Sequence, residues 1–332
     1  MSDASARLVE RGDLDGLTRH VDRLCEQRAW DDLVALRDRC RLALGRGKQL
    51  WPVASHIEYR LALEAPGPWA AATLETGTGR FALGPLPEVA ASTHAWAELA
   101  PHLTVSPAGA MAAHERVMRG EDLTADPHAA ALPPILDLPF ALQPWEPAYA
   151  LAEYHADRME APSPGIVRPG RTRKTPGRVV AARAADDPDA VRALTDLAET
   201  WTVESNGRAE AVAVHGPADA AVNALGAPSP ALTELGPRDA LALMAWAAAS
   251  GGAHGRRRGS APGRFAAWWA LAALGGLLED WPVPAGELGE VLEALCWYAW
   301  EAGEPETGWV LRLAVEDPDE GLAWALAAVD LD

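Results

Sequence analysis

The chain has 332 residues, 49% of them hydrophobic, and its 47 acidic and 29 basic residues give a net charge of −18. That is enough apolar material for two or three folded units, and the charge argues against broad attachment to nucleic acid or anionic lipid. Cys25, Cys40 and Cys296 match no metal or redox spacing, and the N-terminus has no basic start followed by an apolar run, so buried thiols and a cytoplasmic location are expected.

The reading along the chain is mainly α: short antiparallel helical hairpins, repeat-like or bundled, with a small α/β unit. Residues 1–160 form a helical domain. Amphipathic segments run Asp13 to Gln27, Trp30 to Leu44, Trp51 to Glu64 and Pro68 to Glu75, each closed by Gly or Pro. Leu14, Leu17, Val21 and Leu24 trace one face of the first, and Leu33, Leu36 and Cys40 one face of the second. Helices follow at Ser92 to His102 and at Pro107 to Arg119, where Ser106 and Pro107 supply a cap and a first-turn residue. Prolines at 127, 133, 134, 139, 144 and 147 make 123–147 an extended segment, expected to wrap this domain, before a short helix at Ala148 to Arg158.

Residues 161–177 read as a basic Pro/Gly linker. Residues 178–226 read as a β-α-β-β-α unit: a strand at Val179 and Val180, a helix from Asp187 to Glu199, a strand at Trp201 to Ser205, a type I′ turn at Asn206-Gly207, a strand at Ala209 to His215, and a helix after Gly216-Pro217. Residues 237–332 read as a helical bundle, with helices at Pro237 to Ala249, Pro262 to Leu278, Glu287 to Ala302, Glu306 to Val315 and Pro318 to Val329. The longest apolar run, Phe265 to Leu278, is shorter than the roughly 18–20 residues a membrane span needs. The tryptophans fall inside apolar helical patterns and are expected to pack the core.

The chemistry-bearing candidate is the Gly/Arg-rich loop 251–264. Its glycines let backbone amides approach an anion, its arginines offer paired donors, and it opens onto a helix N-terminus. His254, Arg256, Arg257, Arg258 and Arg264 are therefore the anion-binding candidates, for a phosphate or carboxylate ligand. No Gly-Lys-Ser/Thr follows, so it is not a nucleotide P-loop. A second basic stretch contains Arg168, Arg171, Arg173, Lys174 and Arg178 without an acid, and convergence of the two would favour a shared anion site. Opposite in sign, residues 279–332 hold fourteen acids and one arginine, which invites a basic partner or a basic loop of the same chain.

His56-Ile-Glu58 matches half of a zinc-deaminase signature and lacks the cysteine half, while His114-Glu115 and His155-Ala-Asp157 are fragments. No metal site, cofactor or complete catalytic motif is read. In composition, and in the run Gly-Arg-Arg-Arg-Gly-Ser-Ala-Pro-Gly-Arg-Phe-Ala-Ala-Trp-Trp (residues 255–269), the chain resembles uncharacterised proteins of high-GC bacterial genomes grouped as families of unknown function, a resemblance that implies no activity. The expectation is a noncatalytic helical scaffold or adaptor for a protein partner. The alternative is a binder, or an enzyme, for a phosphate-containing ligand at the loop.

Overall fold

In the computed structural model the described residues are 3–75, 77–164, 172–174, 182–227, 231–302 and 308–331. They divide into two compact units. One comprises residues 1–135 and 152–161, the other 136–151 and 162–332.

The first unit is built of helices α1 (Asp3–Arg11), α2 (Leu14–Glu26), α3 (Trp30–Leu44), α4 (Trp51–Glu64), α5 (Gly67–Ala71), α6 (Leu86–Thr93), α7 (Trp96–Leu99), α8 (Pro107–Met118) and α9 (Pro127–Ala130). Local chemistry sets several starts. Asp13 accepts the amide of Gly16 at 2.8 Å, and Ser106 accepts that of Gly109 ahead of Pro107. The central element is α4. Its Ile57 and Leu61 join Leu17, Val21, Leu33 and Leu36 in one core, while Tyr59, Ala62 and Leu63 join Leu86, Val89 and Ala112 in another. A helix buried on two sides must also bury polar residues, and its two buried charges are paired. Arg60 contacts Asp22 at 2.5 Å and Glu64 at 2.7 Å. Glu58 takes Arg41 at 2.6 Å.

The helix expected at Ala148 to Arg158 is instead a two-residue ladder of β1 (Glu153–Tyr154) and β2 (Met159–Glu160). Tyr154 accounts for the change: its ring is buried and its hydroxyl donates to Glu88 at 2.6 Å, while Glu153 faces solvent, the alternation of a strand.

The second unit holds β3 (Thr172–Lys174), β4 (Arg183–Ala184), α10 (Pro188–Asp196), α11 (Glu199–Val203), β5 (Arg208–His215), α12 (Ala218–Ala224), β6 (Ala231–Leu235), α13 (Pro237–Ala249), α14 (Ser260–Leu274), α15 (Ala285–Ala294), β7 (Cys296–Glu301), β8 (Trp309–Asp317) and β9 (Leu322–Asp330). One antiparallel sheet orders them β3-β6-β7-β8-β9-β5-β4. Leu326 of β9 pairs Leu313 of β8 on one side and Ala211 of β5 on the other.

The chain is therefore largely helical with a small sheet, but the sheet is larger than the sequence suggested: the strand expected at Ala209 to His215 is present as β5, and most of the sheet's other residues come from segments read as helical. Of the helical bundle expected over 237–332, the segment at Glu306 to Val315 lies in β8 from Trp309 on, most of Pro318 to Val329 lies in β9, and the helix expected at Glu287 to Ala302 stops at Ala294 and gives way to β7. These strands are covered on both faces. Leu311, Leu313, Val315, Ala314, Ala323 and Ala325 are all buried, so the polar alternation that marks a half-buried strand is missing.

The strand expected at Trp201 to Ser205 is also absent. Trp201 lies on α11, fully buried, with its indole donating to Ser250 Oγ at 2.8 Å. Asn206-Gly207 does turn the chain, from helix into strand rather than between strands, and Gly207 donates its amide to Trp201 O at 2.9 Å. The strand expected at Val179 and Val180 lies outside the described residues.

The proline-rich segment behaves differently from expectation. Residues 136–151 belong to the second unit rather than wrapping the first. Trp145 explains why: its indole donates to Ala285 O at 2.9 Å, its ring lies 4.9 Å from that of Trp268, and the missing side chain of Gly289 leaves it room. Trp201, Trp268, Trp297, Trp300 and Trp324 are buried, whereas Trp246 and Trp269 are only partly so.

Candidate functional site

The Gly/Arg-rich loop is drawn back onto its own unit. Gly252 adopts φ +68°, a conformation that glycine tolerates, and the turn aims the amide of Ala253 at the carboxylate of Asp330, 2.6 Å away. Asp330 is fully buried on β9. The loop does bind a carboxylate through a backbone amide, then, and that carboxylate is the chain's own. The rest of the loop is occupied in the same way. His254 donates its amide to Ser205 Oγ at 3.2 Å, and Arg256 donates its own to Glu204 at 3.1 Å. Arg257 bonds Ser260 Oγ at 3.0 Å, and Arg258 pairs with Glu199 at 2.9 Å. The acids described against Arg256 and Arg258 sit on and beside α11, and from the acidic C-terminal block Asp330 alone among the described contacts reaches the loop.

Arg264 is separated from that cluster by burial. Its Nε and Nη2 grip both oxygens of Glu146 at 2.8 and 2.7 Å, while Nη1 and Nη2 donate to Pro139 O and Ala141 O at 3.0 and 2.9 Å. Glu146 also accepts Tyr149 OH at 2.7 Å, Trp268 Nε1 at 3.1 Å and the amide of Gln143 at 2.8 Å. Burial, with the Glu146 charge adding to it, pushes the Tyr149 phenol well above its usual range, so it remains a donor. With side chains 1% and 0% exposed, this is a closed structural pair that fastens the proline-rich segment. The expected anion-binding role of Arg264 is not compatible with it.

Arg168, Arg171 and Arg178 lie outside the described residues, as do the side chains of Arg173 and Lys174, whose backbones belong to β3. Among the described residues the histidine fragments are not brought together with one another as a metal-binding cluster. His94 bonds Ala90 O and Ala65 O through its two ring nitrogens at 3.0 and 2.7 Å, and Glu115 pairs with Arg119 at 3.2 Å. Burial lowers the His56 pKa. Among the described residues no cluster of three or more His, Cys, Asp or Glu could hold a metal ion, and no helix is long and apolar enough to cross a membrane.

A concave site lies in the first unit, at a place where the sequence offered only the incomplete His56-Ile-Glu58 motif. A cleft of about 660 Å³ opens between the C-terminal part of α3, the first two turns of α4 and the loop at 75–81. That volume is within the range of small-ligand sites. Its apolar walls include Leu44, Trp51, Ala54 and Phe81, and its polar groups include Arg41, Ser55, Glu58 and Thr78.

The loop is held by Glu58. Glu58 Oε2 accepts the amide of Gly79 at 2.6 Å, and Oε1 accepts Arg41 Nε and Nη2 at 3.0 and 2.6 Å. Gly79, at φ +65°, leaves no space for a side chain against Leu86. At the mouth, Trp51 and Phe81 lie with ring centroids 3.8 Å apart, yet they remain 38% and 51% exposed. Leu44 beside them is 50% exposed. Burial pushes the Cys40 thiol in the wall up to about 11, which keeps it protonated at neutral pH.

This chain belongs to the family of unknown function DUF6183, whose profile matches residues 15–332. No curated protein and no solved structure matches it.

Proposed function

We propose that this member of the DUF6183 family is a noncatalytic adaptor, acting in the cytoplasm, whose first unit recognises a protein partner through the cleft between α3, α4 and the 75–81 loop. Its short helices, stacked as antiparallel hairpins, would serve as the scaffold for that surface. The observation that carries the reading is the exposed pair Trp51 and Phe81 at the mouth of a cleft of about 660 Å³. Large aromatic groups left half in water beside an apolar hollow are the usual anchors of a binding surface. The net charge of −18 suits a partner whose surface is otherwise basic.

The alternative, a phosphate ligand at the Gly/Arg-rich loop, loses its main support. Arg256 and Arg258 pair with Glu204 and Glu199, Arg264 is buried against Glu146, and the loop amide of Ala253 already serves Asp330.

The test is affinity capture from native lysate with three baits: the wild-type chain, the Trp51→Ala/Phe81→Ala double variant, and an Arg256→Ala/Arg257→Ala/Arg258→Ala triple variant. A reproducible partner retained by the triple variant and lost by the double variant is the expected result. No partner, or one that survives the double variant, would overturn the reading.

A further inference from the structure

The cleft joins an apolar hollow to two guanidinium groups, Arg41 and Arg80, with the carboxylates of Glu58 and Glu75 also in its lining, and Arg41 is the one whose orientation is fixed from behind. Glu58 is 3% exposed and holds Arg41 through Nε and Nη2, both on its Oε1, a side-on grip that orients the guanidinium. Arg41 itself keeps 39% of its side-chain surface open and lines the cleft. Arginine carries five N–H donors, and the two bonds to Glu58 use two of them. The surrounding chain is basic although the protein is acidic: residues 36–52 contain Arg37, Arg39, Arg41, Arg46 and Lys48 against Asp38 alone. Arg46 and Lys48 of this stretch pair with Glu10, and Arg37 with Asp38, so what the stretch offers an anion in the cleft is the donors of Arg41 not bonded to Glu58.

Resting on the adaptor reading, we infer that the cleft binds the C-terminal residue of a partner chain, with its large apolar side chain between Leu44, Trp51 and Phe81 and its free carboxylate on Arg41. The pairing of an apolar wall with one oriented guanidinium asks for an apolar group and a carboxylate on the same short unit, and a chain end provides both on one Cα. An acidic residue inside an extended segment meets the requirement less well. Its neighbours point to the opposite side of the strand, so an apolar residue next to it would face away from the cleft while the acid faced in. Capture of chain-end carboxylates is a recurrent mode of peptide recognition.

The experiment uses the full-length protein and fluorescein-labelled pentapeptides ending in leucine, isoleucine, phenylalanine or methionine, each as the free acid and as the C-terminal amide. Decanoate serves as a competitor, and binding is read by fluorescence anisotropy. At least one free-acid peptide should bind, and its amide should bind about tenfold or more weakly, the size expected for losing one charge-assisted bond pair.

Arg41→Gln should bring acid and amide to equal affinity. Arg41→Lys, which keeps the charge and loses the fork, should retain part of the preference. Melting curves of each variant separate loss of binding from loss of fold, and a merely structural Arg41 would weaken acid and amide alike. Equal binding of acid and amide to the wild type, or a preference that survives Arg41→Gln, would overturn the inference. So would displacement or binding by decanoate with no binding of any peptide, which would assign the cleft to a free amphiphile. If no peptide binds while the Trp51/Phe81 variant still loses its captured partner, this inference fails and the adaptor reading stands. If that variant keeps the partner, the adaptor reading itself falls.

Discussion

The Gly/Arg-rich loop of the second unit and the cleft of the first make opposite impressions in sequence and in structure. The loop carries the densest charge in the chain, yet Glu199, Glu204, Ser260 and Asp330 meet its donors. The cleft carries only a fragment of a motif, His56-Ile-Glu58, yet aromatic rings and an oriented arginine face open space there. Backbone amides and guanidinium groups near a packed surface find acceptors wherever the chain can supply them. A concentration of donors in one stretch therefore marks where partners are needed, and they may come from the same molecule. Open sites are made by residues that are far apart and individually unremarked.

The comparison breaks first at Arg264, where the loop runs into the core. Removing one member of a buried ion pair leaves the other charged and unpaired, at a cost of about 3–5 kcal/mol. Glu146→Ala would also strand Tyr149 OH, Trp268 Nε1 and the amide of Gln143. Against a typical domain stability of about 5–15 kcal/mol, this is a large fraction. Urea unfolding followed by tryptophan fluorescence should place the variant far below the wild type, and hydrogen exchange should show residues 136–151 losing protection first. A change under about 1 kcal/mol would mean that the pair is not what holds the segment.

The first unit was the more legible in its elements and the less legible in its site. The expected spans Trp30 to Leu44 and Trp51 to Glu64 coincide with α3 and α4, and Asp13 to Gln27 differs from α2 by one residue at each end. Caps, a first-turn proline and terminal glycines signal such helices locally. The helix α6 was missed because two prolines, Pro85 and Pro87, and the break at His94 obscure its eight residues. In the second unit β8 and β9 failed for a different reason. Alanine and leucine on both faces of a covered strand carry the same composition as a buried helix, and only the partner strands distinguish the two. The cleft was invisible because its lining comes from residues 40–58 and 75–81, and the link between them is one carboxylate, Glu58, bonding the amide of Gly79. The sequence drew attention to Glu58 only through an incomplete zinc motif, which points to the wrong chemistry.

A smaller effect tests whether the loop is shaped for Asp330. Gly252→Ala places a side chain at φ +68°, and its Cβ would fall 2.2 Å from Asp330 Oδ2. Strain of that kind costs about 1–3 kcal/mol. Gly12→Ala is the matched control, because Gly12 has φ +64° and nothing within 4 Å of an added Cβ. Its cost should be the backbone penalty alone, about 1 kcal/mol. The excess of the first over the second, measured by chemical denaturation, reports the contact between loop and carboxylate. Equal costs would show that this contact contributes nothing to the fold.

The smallest effect is expected where the charge is densest. Arg256 and Arg258 keep 66% and 44% of their side-chain surface exposed, and their partners Glu204 and Glu199 keep 40% and 54%. Exposed pairs of this kind contribute about 0–1 kcal/mol each and are screened by salt. The triple alanine variant at 256–258 should therefore melt within a few degrees of the wild type, and the difference should shrink further as salt is raised. The backbone amides of Ala253 and Arg256 keep their acceptors in that variant, since neither bond uses an arginine side chain. A loop that holds its shape without its guanidinium groups would have its arginines as partners of the chain's own surface acids. A variant that folds normally and yet loses the captured partner would reverse the comparison and return the site to the loop.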